Sequence, residues 1–149
     1  MAERTEGSIV IAAPPARVMD VLTDYEAYPA WADVRATRVL ERGDGGLATR
    51  VAFELDVPGL GRASYVLVYR YAPSDAGLSW ASTEAHGAVR SVAGEYLLRE
   101  TDDGGTAVTY RLEVELAALV PGVLRTKGQE LLIANALENL KRRVEGGDR

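Results

Sequence analysis

Residues Val120 to Glu145 read VPGVLRTKGQELLIANALENLKRRVE. Pro121 suits the first turn of a helix, where its missing N–H would be unpaired in any case. Gly146-Gly147 follows at the place where a left-handed cap is wanted. Between these marks lie about 24 residues with one breaker, Gly128, so a continuous helix would be roughly 36 Å long. At about 100° per residue, Leu124, Gly128, Leu131, Leu132, Ile133, Ala136, Leu137, Leu140 and Val144 predict one broad apolar arc. Lys127, Glu130, Glu138 and Lys141 take the other side. The arc is wider than one partner helix needs. Its middle carries Arg125, Gly128, Gln129, Leu132 and Ala136, small or polar where a tight core wants bulk. The expectation is a helix that roofs a space.

The chain before this helix has a different rhythm. Glu6 to Ala12 is a β-rich run stopped by Pro14-Pro15. Ala16 to Asp24 predicts a short helix with Val18, Val21 and Leu22 on one side. Tyr25 to Trp31 predicts a second short helix or turn, its Pro29 disfavouring helix at Tyr28. From Arg35 the pattern is strands and tight turns: Arg35–Arg42, Leu47–Val57, Arg62–Tyr71, a short Leu78–Ser82, Val89–Glu100 and Thr106–Ala117. Gly43-Asp44-Gly45-Gly46 and Asp102-Asp103-Gly104-Gly105 are strong hairpin signals. In the last strand Val108, Tyr110, Leu112, Val114 and Leu116 alternate with Thr109, Arg111, Glu113 and Glu115. Short turns between successive strands predict an antiparallel meander. Its apolar face needs a cover, and the terminal helix is long enough to supply one.

Composition narrows the function classes. A length of 149 residues predicts a single domain spanning 1–149, able to bury about 70% of its unfolded surface. The absence of cysteine removes disulfides, thiolate catalysis and cysteine-ligated zinc. The formal charge is −5 and the basic residues are scattered, apart from Lys141-Arg142-Arg143 in a helix's last turn, where cations are favoured anyway. Nucleic acid is therefore not an expected partner. Met1 to Glu6 shows no signal-peptide pattern, and no apolar run approaches the ~18 residues of a membrane span. A cytoplasmic protein without membrane insertion, monomer or homodimer, is expected.

The order of elements resembles the helix-grip fold of the START-related, birch-pollen-allergen-like superfamily. The resemblance rests on Ala12-Ala13-Pro14-Pro15-Ala16-Arg17-Val18, on Asp24-Tyr25-Glu26-Ala27-Tyr28-Pro29-Ala30-Trp31, on Gly94-Glu95-Tyr96 with Gly105-Thr106-Ala107-Val108-Thr109-Tyr110, and on Ala136-Leu137-Glu138-Asn139-Leu140-Lys141. Within the superfamily the chain is similar to the bacterial polyketide cyclase/dehydrase and coenzyme Q-binding group. The resemblance implies an α+β fold: a curved antiparallel seven-stranded sheet wrapped around the long C-terminal helix, with two short helices after the first strand. It also implies a hydrophobic ligand such as a polyketide, isoprenoid quinone or lipid. Fold alone does not assign an activity.

Candidate site residues follow from the predicted concave face. Trp31, Phe53, Tyr65, Tyr69, Trp80, Tyr96 and Tyr110 fall on it or at its mouth, joined by Gln129, Leu132 and Ala136 from the helix. Such rings fill cores in many proteins. Several phenols on one face, each needing a partner, point instead to a space holding water or ligand polar groups. The facing of Arg62–Tyr71 stays open, since Val66 and Val68 are apolar as well. His86, the single histidine, sits between two strands and lacks a metal-binding companion or nucleophile motif. Arg125 near the helix start could pair with a carboxylate or enolate, or reach water along its stem.

Two functions are therefore expected to compete. The first is binding of a small hydrophobic or aromatic molecule between sheet and helix, with no cofactor required. The second is a polyketide cyclase/dehydrase in the same cavity, with Tyr69, Tyr96, His86 and Arg125 as candidates for proton transfer and enolate stabilisation. A protein-interaction module using the cationic helix end is a third class; it predicts a closed core and an exposed apolar patch.

Overall fold

The computed structural model describes residues 3–117 and 121–146, with the side chains of Glu3 and Val123 left aside. Strand β1 is Glu3–Ile11, followed by helix α1, Pro15–Leu22. A 3₁₀ turn at Tyr25–Ala27 runs into the four-residue helix α2, Tyr28–Trp31. Six strands follow: β2 Ala36–Arg42, β3 Ala48–Val57, β4 Gly61–Tyr71, β5 Gly77–Gly87, β6 Val89–Glu100 and β7 Thr106–Leu116. Helix α3, Gly122–Gly146, closes the order. The strands form one antiparallel sheet in the order β1-β7-β6-β5-β4-β3-β2, so the first strand pairs with the last. The expected α+β helix-grip architecture is what the chain adopts.

Local chemistry explains the breaks. Pro15 opens α1, and the Thr23 hydroxyl and N–H both donate to the Met19 carbonyl at its end. That stops the helix at Leu22, two residues before the expected boundary. Tyr28 is helical despite the proline after it, because Pro29 lies in the first turn of α2, where a lost N–H costs nothing. The β2–β3 and β6–β7 hairpins turn on Gly46 and Gly104, both at φ +87°, a left-handed conformation that glycine adopts without penalty. The expected short strand after Gly77 continues to Gly87 and takes in Thr83 to His86.

The core lies between the concave face and a cover made of α1, α2 and α3. Ile11, Val18, Leu22, Val51, Val108 and Leu140 are fully buried. Each such aliphatic side chain contributes about 1.5–3 kcal/mol relative to exposure. α3 rests chiefly on β1, with smaller contacts to α1, β7 and α2. It approaches closest at Gly7, where a Cβ would lie 2.6 Å from Ile133 Cγ2. Glycine there is what allows helix and strand to touch.

The breadth of the apolar arc on α3 is corrected by its burial. Gln129, Ile133, Leu137, Leu140 and Val144 form the buried stripe, with Ala136 at its margin. Leu124, Leu131 and Leu132 remain 59%, 63% and 43% exposed, and Gly128 is exposed beside them. One arc is thus two stripes on different sides, and only the first meets the sheet. Gly146 ends the helix as its last residue; Gly147 and Val120 lie outside the described residues.

Candidate ligand-binding site

Strand register places the aromatic residues together. Tyr69 lies opposite Trp80, Trp80 opposite Gly94, Gly94 opposite Leu112, and Leu112 opposite Thr5, a single row across five strands. A neighbouring row joins Tyr96, Tyr110 and Gly7, and Phe53 faces Tyr65 on β3 and β4. Phe53, Tyr69, Trp80, Tyr96 and Tyr110 are buried, with Tyr65 packed against them. The open facing of β4 is resolved: Tyr65, Leu67 and Tyr69 share the inner side. Ring centroids are 4.5 Å apart for Tyr96 and Tyr110, 5.4 Å for Trp80 and Tyr96, 5.8 Å for Trp80 and Tyr110, and 6.1 Å for Tyr69 and Trp80. Trp80 covers Gly94 so closely that a Cβ there would lie 2.8 Å from the indole and 2.5 Å from the Arg111 carbonyl oxygen.

The tyrosines fall into two chemical groups. Beneath the short helices, Tyr71 donates to the Ala48 carbonyl at 2.6 Å and shares a hydrogen bond of 2.9 Å with Tyr25. Tyr28 donates to the Leu22 carbonyl at 2.6 Å. In the centre, the hydroxyls of Tyr65, Tyr69, Tyr96 and Tyr110 make no hydrogen bond with any described residue; burial and neighbouring phenols alone perturb them. Burial pushes Tyr69, Tyr96 and Tyr110 well above the ordinary value of 10. They stay neutral and can donate a proton into a hydrogen bond at physiological pH.

α3 adds one polar group to this surface. Gln129 is buried and its Oε1 accepts a 2.8 Å hydrogen bond from Thr5 Oγ1, while its Nε2 is buried without a partner. Thr5 was not among the expected site residues. Its signal was the alternation of Thr5, Gly7, Ile9 and Ile11 along β1, which puts a hydroxyl on the inner side. Ala136 borders the buried stripe, whereas Leu132 lies on the exposed side of α3. Arg125 is half-buried one turn before Gln129.

Other candidates are dispersed. His86 is exposed and lies opposite Ser64, on the convex side of the sheet, away from the rings. Trp31 packs on Tyr28 at 4.9 Å, has its indole N–H buried without a partner, and lines a cleft of about 40 Å³ with Arg17, Asp20 and Arg143. A larger cleft of about 190 Å³ lies over β6 and β7, lined by Arg4, Glu95, Arg111 and Glu113 with Gly94, Leu112 and Trp80. Arg111 there is held by Glu6 at 2.8 Å and Glu95 at 3.1 Å, which confirms a paired surface face. Along the concave face the rings touch their sheet neighbours. Among the described residues no group of His, Asp and Glu is arranged to hold a metal ion, and no helix is long and apolar enough to cross a membrane.

The sequence matches the polyketide cyclase / dehydrase and lipid transport family over residues 2–145. The chain belongs to this family. Solved structures carry the same fold in the START superfamily. A START superfamily protein from Mycobacterium smegmatis superimposes with a TM-score of 0.87 at 17% identity, covering 96% of this chain and 97% of that one. The Zhui aromatase/cyclase from Streptomyces gives 0.75 at 18%, covering 98% and 93%. A STAR-related lipid transfer protein from Xanthomonas axonopodis gives 0.73 at 20%, covering 95% and 85%. A comparison with functionally curated proteins gave no match. At these identities the neighbours establish architecture, and the polyketide cyclase / dehydrase and lipid transport family spans both catalysis and carriage.

Proposed function

We propose that the protein binds a small hydrophobic or aromatic molecule, of polyketide, quinone or lipid type, between the concave face and α3. The observation that carries the reading is the set of four inner phenols without a protein partner, set among stacked rings. A closed core of ordinary kind pairs its buried hydroxyls, as Tyr25, Tyr28 and Tyr71 do here. Unpaired phenols on one face are prepared for a guest's polar atoms, while the ring faces supply apolar burial at ~25 cal/mol/Å². Entry is past the cover at α3. Its first turns are the part to admit a guest, because Leu124, Leu131 and Leu132 stand exposed there.

Catalysis of aldol closure and dehydration is less well served. Of the four candidate catalytic groups, His86 faces away from the rings, and the inner tyrosines are held neutral, which suits donors but not bases. Native mass spectrometry of freshly purified protein, followed by thermal shift with naphthoquinones, aromatic polyketides and fatty acids, tests the proposal. Retention of a small hydrophobic molecule, or saturable stabilisation by one class, is expected. A protein that emerges empty and responds to none of these compounds is not a binder of this kind.

A further inference from the structure

The inner face offers hydrogen-bond donors to a guest, and one of them is pre-aimed. Gln129 is the first buried side chain of α3 among those described, so it stands at the rim where the exposed turns give way to the packed stripe. Its Oε1 is already engaged by the Thr5 hydroxyl at 2.8 Å, and what remains is the Nε2 amide, buried and without an acceptor. Thr5 lies in the same cross-sheet row as Leu112, Gly94 and Trp80, so the amide stands at the end of the aromatic surface. A buried donor without an acceptor is expensive and calls for an explanation. No carboxylate, lysine or histidine occupies the inward positions of that row or of the Tyr96–Tyr110–Gly7 row beside it.

We propose that Gln129, oriented by Thr5, reads a neutral carbonyl oxygen on the bound molecule. This rests on the ligand-binding reading above and narrows its ligand from any hydrophobe to one with a carbonyl acceptor. Hydrocarbons leave the amide unpaired. At the amide a fatty-acid anion gains one neutral donor and loses its water, an exchange that apolar surroundings penalise, and Arg125 one turn earlier is already engaged. A hydroxyl oxygen can also accept from the amide, but it is a poorer acceptor than a carbonyl and its own proton then needs an acceptor. The phenols of Tyr69, Tyr96 and Tyr110 extend the same preference to further carbonyl groups along the guest.

The test uses the full chain and four matched probes: naphthalene, 1,4-naphthoquinone, 1,4-dihydroxynaphthalene and 2-naphthoate, each measured by equilibrium dialysis. The cysteine-free chain presents no thiol to add to the quinone. In the wild type the quinone should bind about fivefold or more tightly than naphthalene, the margin of one neutral hydrogen bond, with naphthoate weakest. Gln129→Leu should erase the margin, bringing the quinone no tighter than naphthalene. Thr5→Val should reduce it by loosening the amide, and covers the case in which Gln129→Leu folds poorly. The double variant Thr5→Val/Gln129→Leu should melt no lower than the wild type, since both partners are replaced by apolar groups. Equal binding of quinone and hydrocarbon, a preference for the dihydroxy compound, or a margin that survives Gln129→Leu would overturn the assignment while the binding site itself stands. If none of the four probes binds saturably, the ligand-binding reading falls and takes this one with it.

Discussion

Two regions of the same interior treat the same side chain in opposite ways. Under α1 and α2, Tyr25, Tyr28 and Tyr71 are tied to backbone carbonyls or to each other, and the tilted ring of Tyr25 packs on Tyr69 at 4.5 Å. A few ångströms on, Tyr65, Tyr69, Tyr96 and Tyr110 keep their hydroxyls free of protein partners, and Gln129 leaves an amide unpaired beside them. The first region is finished as a protein core. In the second, rings touch rings while their hydroxyls stay unpaired, the combination expected where a guest supplies the missing atoms.

The largest effect should come from base. Burial raises all seven tyrosines above their ordinary 10 in the folded protein. A raised folded pKa gives stability that is intact below the unfolded value and lost as pH climbs beyond it toward the folded one. Alkaline unfolding should therefore begin above pH 10 and be cooperative. Tyrosinate absorbance near 295 nm should rise together with the loss of far-ultraviolet circular dichroism. An early tyrosinate step in a protein still folded would mean that the central phenols reach bulk water, and the contrast between the regions would disappear.

Next in size is Gly94→Val. The added carbons meet the Arg111 carbonyl and the Trp80 indole, and backbone cannot retreat as a side-chain tip can. A cost of about 3 kcal/mol is expected from overpacking, roughly 6–10 °C in melting temperature for a chain of this size. Differential scanning calorimetry would read it. A neutral result would show that the indole has room to leave Gly94, and so that the centre is looser than its ring contacts imply.

Paired hydroxyl deletions sharpen the comparison directly. Tyr71→Phe removes the donor to the Ala48 carbonyl and the partner of Tyr25, so about 2 kcal/mol should be lost. Tyr96→Phe removes a hydroxyl with no partner and should leave stability within about 0.5 kcal/mol of wild type. Its effect should fall on ligand affinity instead. Urea titrations of the two variants side by side decide the matter: equal losses would place both tyrosines in one kind of environment.

Much of this was legible in the residues. Alternation in Thr106–Leu116 and the Gly104 and Gly46 turns wrote the meander openly, because strand period and turn chemistry are local properties. Phe53, Trp80, Tyr96 and Tyr110 followed from the same period of two, whereas Tyr65 and Tyr69 did not, because Val66 and Val68 make both faces of β4 apolar. Less legible was the length of β5, whose second half carries Thr83, Glu84 and His86 on a mostly exposed stretch, without the hydrophobic alternation that announces a strand. The two stripes of α3 could not be separated on a helical wheel. Which leucines meet β1 depends on Gly7 admitting Ile133, a contact between residues at opposite ends of the chain. Thr5 with Gln129 is hidden for the same reason.

The smallest effect concerns what ties the end of α3 to β1. At the far end of α3, Lys141 Nζ donates to the Val10 carbonyl at 2.9 Å and to Glu145 at 2.6 Å, and Glu145 accepts from the Ala12 N–H at 2.8 Å. These bonds hold the Glu145 carboxyl below its ordinary 4.5, the Lys141 ammonium contributing most. A lowered folded pKa means stability that is present above the unfolded value and is lost as pH falls through the folded one. The clamp should therefore weaken only below about pH 4.5, and Glu145→Gln should remove that part of the acid dependence while costing about 0.5 kcal/mol at neutral pH. Ligand affinity should not change, because the clamp ties the last turns of α3 to the end of β1 and the proposed entry lies at the other end of the helix. Should Glu145→Gln alter ligand affinity as much as it alters stability, the two ends of α3 would move as one body, and entry past its first turns would need a different account.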